Sequence, residues 1–184
     1  MRTSRQNMGG IYKHLMKWML PAIALVLVII NTTHLFYFNF YTHSLPNGIY
    51  IRKCGVPHIG DYAVSCLTPK VAQYGIDRGY LIQGGCDSGS VAVLKIIKGM
   101  PGDKYSLRNG QLSVNGMVYL SEPKDSKGRP LEWLYSSKEG VLGSDQYLLI
   151  SSHVKNSWDS RYWGPVPVKY IVQPLWIYEN DKKN

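Results

Sequence analysis

The feature that most constrains this chain is a lysine in the middle of an apolar strand. Residues 94 to 103 read Leu-Lys-Ile-Ile-Lys-Gly-Met-Pro-Gly-Asp, an apolar stretch that runs into a glycine-proline turn. In an extended chain Val93 and Ile97 share the face of Lys95 and apolar neighbours cover the other, as in a strand buried on both faces. Burial disfavours the charged amine, so we expect Lys95 to have a lowered pKa and to act as a general base. The alternative is a lysine whose stem packs on the sheet while its ammonium group reaches water.

Two further segments carry residue types that can complete a site around this lysine. The segment 44 to 50 reads Ser-Leu-Pro-Asn-Gly-Ile-Tyr, in which the proline and the Asn-Gly pair predict a turn. The segment 156 to 165 reads Asn-Ser-Trp-Asp-Ser-Arg-Tyr-Trp-Gly-Pro and contains the charged residues Asp159 and Arg161. Taken alone, Ser44 is more typical of a turn serine that bonds to its own backbone.

Together and in this order, the three segments resemble the type I signal peptidases, which are S26-type Ser/Lys peptidases. The family has a Lys-Arg-x-x-Gly-x-Pro-Gly-Asp box, and counting back from the Gly-Met-Pro-Gly-Asp of residues 99 to 103 places the family lysine on Lys95 rather than Lys98. Ser44 matches the family nucleophile, and Asp159 matches the start of its Asp-Ser-Arg box.

The likeness is greatest to the TraF pilin-maturation peptidases of conjugative transfer. Ser-x-Pro-x-Gly-x-Tyr at 44 to 50 is the TraF-like form of the nucleophile box, and Arg-Gly-Tyr-Leu at 78 to 81 is TraF-like as well. The resemblance covers about residues 42 to 176 and implies one serine peptidase domain.

The resemblance implies acyl transfer by a Ser/Lys dyad. Ser44 Oγ attacks the scissile carbonyl after Lys95 Nζ has removed its proton. The Ser44 backbone N–H and the Thr42 hydroxyl are the candidate oxyanion donors. Asp159, which the resemblance places in the active site, and Arg161 are expected to fix the architecture behind Lys95. A Ser/His/Asp site is the alternative, because His43 adjoins the serine and His153 precedes the aspartate box.

By resemblance, the substrate is the pilin precursor of a conjugative type IV secretion system, which the enzyme cleaves and cyclises. The residues show a nucleophile and a base, but they do not show whether water or an amine receives the acyl group. Two other functions stay open, a general type I leader peptidase and a catalytically silent, membrane-anchored β domain that binds partners. Other conjugation-channel proteins are further candidate partners.

The N-terminal part predicts a membrane anchor. Residues 1 to 17 hold four basic residues and no acidic one, a positive-inside signal, and residues 18 to 38 form an uncharged, mostly apolar run. We therefore expect a single-pass inner-membrane protein with a cytoplasmic N-terminus, a periplasmic domain at 39 to 178 and a solvated tail at 179 to 184. The alternative is a cleavable signal peptide, although no small-x-small cleavage pattern follows Ile30.

Nucleic-acid binding could also explain the net charge of +9, as an alternative to the membrane anchor. No basic helix or recognised nucleic-acid motif occurs in the sequence, so no nucleic-acid partner is expected.

The three cysteines, Cys54, Cys66 and Cys86, face an oxidising compartment if the domain is periplasmic, and their odd number leaves one unpaired or paired between chains. The sequence does not decide the pairing. Their spacing matches no zinc site, and neither a metal ion nor a cofactor is expected.

The rest of the chain predicts an all-β domain. Short apolar runs bounded by turn residues predict strands, and few helical periods occur. The predicted strands lie near 49–54, 60–67, 103–107, 111–114, 146–151 and 166–178, with a short helix from residue 69 and an exposed charged loop at 121–130. The resemblance implies a signal-peptidase-like, coiled and mostly antiparallel sheet behind one N-terminal transmembrane helix.

Overall fold

The computed structural model describes residues 5–33, 35–40, 42, 44–108, 110–135, 139–151 and 155–178, and in the first helix it describes the side chains of residues 15–29. The chain divides into two compact units, Met1–Tyr37 and Phe38–Asn184. His43 and His153, the two residues of the alternative triad, lie outside the described residues, as does the tail from residue 179.

The first unit is dominated by helix α1, Arg5–Thr33, which contains Pro21. In the described part of the chain no helix is both long and apolar enough to cross a membrane, so the structure does not confirm the predicted transmembrane span. The helix ends where Thr32 and Thr33 introduce poor helix formers. The aromatic stretch that follows forms strand β1, Phe36–Asn39, so the segment 18 to 38 contains both a helix and a strand.

The second unit is mostly β, which confirms the predicted fold class in its coarser form. Its further strands are β2 Asn47–Lys53, β3 Tyr62–Ser65, β4 Val93–Gly99, β5 Lys104–Arg108, β6 Gln111–Val114, β7 Met117–Leu120, β8 Glu139–Val141, β9 Leu148–Ile150 and β10 Tyr170–Tyr178. Two helices accompany them, α2 Pro69–Asp77 and α3 Ser160–Trp163. The last helix lies within the Asp159 box, and Asp159 is its N-cap residue.

The strands form two sheets. One has six strands in the order β1-β2-β10-β3-β4-β9, and the other has four in the order β7-β6-β5-β8. The pairings of β4 with β3 and β9, and of β10 with β2 and β3, are antiparallel, as are those of the smaller sheet. The register of β10 with β2 shifts between Pro174 and Trp176, because proline has no N–H for the ladder.

Strand β4 is paired along both edges, and all of its residues are buried or half-buried, which explains why it is apolar on both faces. Val93 and Ile97 belong to a core cluster that also includes residues of α2, α3 and β10. A second cluster lies between the small sheet and β9. The β6–β7 connection is an Asn-Gly hairpin, with positive φ at Asn115 and Gly116.

A disulfide joins Cys66, just after β3, to Cys86 in the loop that follows α2. Cys54 is exposed and carries a free thiol. The structure thus resolves a pairing that the sequence left open, and the bond closes the segment that contains α2.

Candidate active site

Ser44 lies in a turn between β1 and β2 that is held from both strands. Asn39 is buried at the end of β1, and its Nδ2 donates to the carbonyl oxygens of Leu45 at 3.0 Å and Pro46 at 3.1 Å. Tyr50, fully buried in β2, donates its hydroxyl to the same Pro46 carbonyl at 2.7 Å. These bonds satisfy buried backbone oxygens and fix the turn that presents the serine hydroxyl.

A third contact holds the same turn from β9. Ser151 directly follows this strand, and its hydroxyl donates to the Ser44 carbonyl oxygen. Thr42, in contrast, is exposed, and its hydroxyl donates to Asn39 Oδ1 at 2.5 Å. The Thr42 proton is therefore engaged with the amide that fixes the turn, and its role as an oxyanion donor stays a prediction.

Lys95 lies in the centre of the six-stranded sheet, opposite Ala63 of β3, and is only 6% exposed. Its Nζ is hydrogen-bonded to Ser44 Oγ and, at 3.0 Å, to Ser157 Oγ. The two serine hydroxyl oxygens are 3.4 Å apart. The structure thus brings the predicted nucleophile and the predicted base together, with a second hydroxyl completing a triangle around the amine.

Burial lowers the pKa of Lys95 from 10.5 to about 8. Two charged neighbours act in opposite directions, since the Asp159 carboxylate raises this pKa and the Arg161 guanidinium lowers it. A pKa of about 8 leaves roughly a tenth of the amine neutral at pH 7, which is the form that accepts a proton. The expectation that Lys95 is buried is confirmed, and the alternative in which its ammonium group reaches water is wrong.

Asp159 and Arg161 form a buried ion pair behind the lysine. Arg161 Nε donates to Asp159 Oδ1 at 2.8 Å, and its Nη2 donates to Oδ2 at 2.9 Å. Asp159 Oδ2 also accepts from the Ser151 backbone N–H at 3.0 Å, and Oδ1 accepts from the Arg161 backbone N–H at the start of α3. Such a pair is tolerated without solvent because both charges are neutralised and hydrogen-bonded.

The ion pair reaches the site through two serines. Asp159 binds the backbone of Ser151, whose hydroxyl holds the Ser44 carbonyl. Arg161 Nη2 donates to the Ser157 carbonyl at 3.0 Å and so fixes the residue whose hydroxyl holds Lys95. The amine is thus bound by Ser157, while Asp159 acts on its pKa through space.

Three residues of this arrangement were missed by the sequence reasoning, namely Asn39, Ser151 and Ser157. Asn39 had a recognisable signal, because it is the one amide within the aromatic run Phe36–Phe40. Ser157 lies two positions before Asp159 in a segment already singled out. Ser151 had no comparable signal, because its role depends on where β9 ends relative to the Ser44 turn.

Comparison with known proteins shows the family of the chain. The profile of the family described as "Signal peptidase, peptidase S26" matches residues 12–175. The plasmid transfer protein TraF of Escherichia coli is 30% identical over 142 residues, which cover 73% of this chain and 79% of that protein. The probable signal peptidase I-2 of a Synechocystis species is 34% identical over 85 residues, covering 44% of this chain and 35% of that protein.

Among solved structures, a signal peptidase I from Enterococcus faecalis V583 aligns with a TM-score of 0.38 and 20% identity, covering 66% of this chain and all of that one. The family profile matches most of the chain, and the TraF protein is similar over more than two thirds of both sequences. The chain therefore belongs to the peptidase S26 family of signal peptidases, which are serine peptidases, and within it to the TraF-like branch.

Proposed function

We propose that this chain is a Ser/Lys-dyad peptidase in which Ser44 is the nucleophile and Lys95 the general base. The single observation that supports this most strongly is the buried Lys95 amine, hydrogen-bonded to the Ser44 hydroxyl oxygen. In its neutral form Nζ takes the Ser44 proton while Oγ bonds to the scissile carbonyl carbon. The protonated amine then gives this proton to the leaving nitrogen, and the C–N bond breaks to leave an acyl-enzyme ester on Ser44.

Ser157 and the ion pair keep the base in place during these steps. The Ser157 hydroxyl binds Nζ at 3.0 Å, so the amine has a second partner when the Ser44 proton is transferred. A base that is already oriented does not pay for reorganisation during the reaction, which is how such a support contributes to rate. Asp159 and Arg161 have the supporting role in this proposal, because they hold Ser151 and Ser157.

For the substrate, we propose the pilin precursor of a conjugative type IV secretion system, which is cleaved and then cyclised. The support is the similarity to proteins named for plasmid and conjugal transfer. In the cyclising step the pilin's own N-terminal amine attacks the acyl carbon, and the neutral Lys95 amine takes a proton from it. The protonated Lys95 then gives this proton to Ser44 Oγ as the ester bond breaks, which restores the free serine. Other proteins of the conjugation channel are the further partners of this proposal.

Mass spectrometry of the mature pilin tests both the cleavage and the acceptor. Pilin precursor is co-expressed with the wild-type chain or with Ser44→Ala. A cyclic product contains no added water, so it is about 18 Da lighter than the linear chain of the same residues, because an amine replaces water at the acyl-enzyme. It also yields no N-terminal sequence. Precursor that stays uncut with Ser44→Ala ties the reaction to this hydroxyl.

The other results of this experiment identify the alternatives. A mature pilin with linear mass and a free N-terminus supports a leader peptidase, a function that the similarity to signal peptidases I-2 and I also favours. Precursor left uncut by the wild-type chain, at normal protein levels, supports a silent β domain that binds partners. Either result rejects cyclisation.

We further propose that α1 anchors the chain in the bacterial inner membrane and contacts its lipid, with the N-terminus cytoplasmic and the peptidase domain periplasmic. The support is that all described α1 side chains, residues 15–29, are exposed although nearly all are apolar. Four basic residues within 1 to 17 favour the cytoplasmic side for the N-terminus. Topology reporters fused after Gly48 and near Asn184 test this. High activity of a cytoplasmic reporter at both points contradicts it.

A further inference from the structure

Trp158 stands between the two residues that support the active site, Ser157 and Asp159. Its ring is buried, and its Nε1 has no hydrogen-bond partner among the residues that the structure describes. The side chain is therefore held by packing rather than by hydrogen bonds. Whatever fixes the Trp158 ring also fixes the backbone that carries Ser157, because the two residues are adjacent.

Helix α2 and the turn after it supply the rings that hold Trp158. The Tyr74 ring stacks on it with centroids 6.0 Å apart, and the Tyr80 ring lies nearer, at 5.3 Å. Between them Gly75 lets the helix approach closely, since a Cβ there would lie 2.7 Å from Trp158 Cζ3. The Cys66–Cys86 disulfide closes this segment of the chain.

Tyr80 is itself held by a polar cluster on the loop 121 to 130. Its hydroxyl donates to Asp125 Oδ2 at 2.6 Å, and Arg129 Nε donates to the same oxygen at 2.8 Å. Arg129 also donates to the Arg78 carbonyl at 2.7 Å. Partial burial alone would raise the pKa of Asp125, but the hydrogen bonds from Tyr80 and Arg129 hold it well below its usual range. The predicted charged loop is thus fastened to the turn after α2.

We propose that Tyr80 is a positioning residue, which holds Trp158 in place and through it keeps Ser157 Oγ on the Lys95 amine and water away from that amine. Trp158 belongs to the same core cluster as Val93 and Ile97, the residues that flank the lysine on its own face of β4. The inference rests on the proposed function of Lys95 as the base. It gives a role to the Arg-Gly-Tyr-Leu segment at 78 to 81.

Loss of this support changes the ionisation of the base. Burial is the largest cause of the lowered Lys95 pKa, so water admitted by a loosened Trp158 raises that pKa from about 8 towards 10.5. For Tyr80→Leu we expect a rise of about one unit, with kcat at pH 7 falling about tenfold and KM unchanged. Tyr80→Phe and Asp125→Ala keep the ring and break its hydrogen bond, so each raises the pKa by about half as much.

The test is a pH titration of Lys95 by ¹⁵N NMR of lysine Nζ, on the full-length chain in detergent micelles, with Lys95→Met to assign the signal. This measurement does not require cleavage of any substrate. Tyr119→Leu is the matched control, because Tyr119 is also half-buried but packs on the second core cluster. Burial and the bond to Asp125 raise the pKa of Tyr80 to about 12, so its hydroxyl stays protonated throughout the titration.

The expected order of the Lys95 pKa is Tyr80→Leu highest, then Tyr80→Phe and Asp125→Ala, then wild type and Tyr119→Leu together. If the role of Tyr80 is purely structural, its variants melt at lower temperature but all have the wild-type Lys95 pKa, and the proposal is overturned. If Tyr80→Leu does not fold, the Asp125→Ala variant decides: a Lys95 pKa in that variant equal to the wild-type pKa overturns the proposal. Precursor cleavage retained by Lys95→Ala would instead reject the proposed function, and the titration order would remain a separate result.

Discussion

If Lys95 is the base, peptidase activity must follow the ionisation of one buried amine. Only the neutral form accepts the Ser44 proton, so kcat/KM is proportional to the neutral fraction of Lys95 in the free enzyme. The perturbation is therefore a change of pH, with no substitution in the site. The structure supplies the pKa that sets the position of the curve, lowered to about 8 chiefly by burial.

The size of the effect follows from that value. With a pKa of about 8, roughly a tenth of Lys95 is neutral at pH 7 and roughly nine tenths at pH 9, so kcat/KM rises about tenfold over this interval. With the ordinary pKa of 10.5, only about 0.03% is neutral at pH 7, and the rise over the same interval is nearly a hundredfold. The two cases differ both in slope and in the position of the plateau.

The assay is the cleavage of a fluorogenic pilin-precursor peptide by the full-length chain in micelles between pH 6 and pH 10. We expect the logarithm of kcat/KM to rise with pH at a slope of about one, to bend at about pH 8 and then to level off. Lys95→Arg is the control, because its side chain stays charged throughout this range and should be inactive at every pH.

Stability provides a second measurement of the same pKa. The folded pKa of Lys95 lies below the unfolded one, so between about pH 8 and pH 10.5 the unfolded chain binds more protons. Stability from this group is therefore lowest below pH 8 and rises with pH through that window, by about 3 kcal/mol in all. Lys95→Met lacks this contribution. We expect its stability advantage over wild type, measured by denaturant unfolding, to shrink by about this amount across the window.

Two results would refute the reasoning. A rise in kcat/KM that continues to pH 10 without a bend, with no pH-dependent difference in stability between wild type and Lys95→Met, would mean that the amine is not desolvated. A bend near pH 6.5 that persists in Lys95→Arg would point to a histidine base, and His43 or His153 would then be the residue to replace.

Three further outcomes are expected. Lys95→Ala abolishes precursor cleavage while Lys98→Ala has a mild effect, because Lys98 is only partly buried and lies near the end of β4. Equal losses of activity at normal protein levels would show that the family lysine is wrongly aligned with Lys95. Ser157→Ala lowers kcat by about one to two orders of magnitude and leaves KM unchanged, and a change confined to KM would contradict its role. The Cys66→Ser/Cys86→Ser double variant loses about 3 kcal/mol of stability in denaturant unfolding, for a loop of 20 residues, and an unchanged midpoint would contradict this.

The burial of Lys95 was predictable from sequence because burial of a strand on both faces leaves a local pattern. Apolar neighbours on either side of Lys95 indicate that β4 is central, and the turn that follows gives the register against the family box. The hydroxyls around the amine leave no such pattern. Ser44 and Ser157 are separated from Lys95 by 51 and 62 positions. At such separations, sequence spacing does not show which serines contact the lysine.

The role of Asp159 was predictable only in outline. The family box placed this carboxylate in the site behind Lys95, but it did not show that the hydrogen bond to the lysine amine comes from Ser157. The reason is that the Asp159 carboxylate oxygens accept hydrogen bonds from the Arg161 side chain, from the Ser151 backbone N–H and from the backbone N–H at the start of α3. Sequence spacing shows that a carboxylate is near, but the division of its hydrogen bonds depends on packing of β9 against α3.

The pairing of Asp159 with Arg161 also explains how a carboxylate can lie buried beside Lys95. An unpaired carboxylate near Lys95 would favour the ammonium form and oppose the effect of burial. The Arg161 guanidinium acts in the opposite direction on the same amine, so the pair presents little net charge to Lys95 and desolvation dominates its pKa. The same two residues hold Ser151 and Ser157 by hydrogen bonds. A neutral apolar pair in their place could fill the volume, but it could not bind these backbone groups while leaving the ionisation of the lysine to burial.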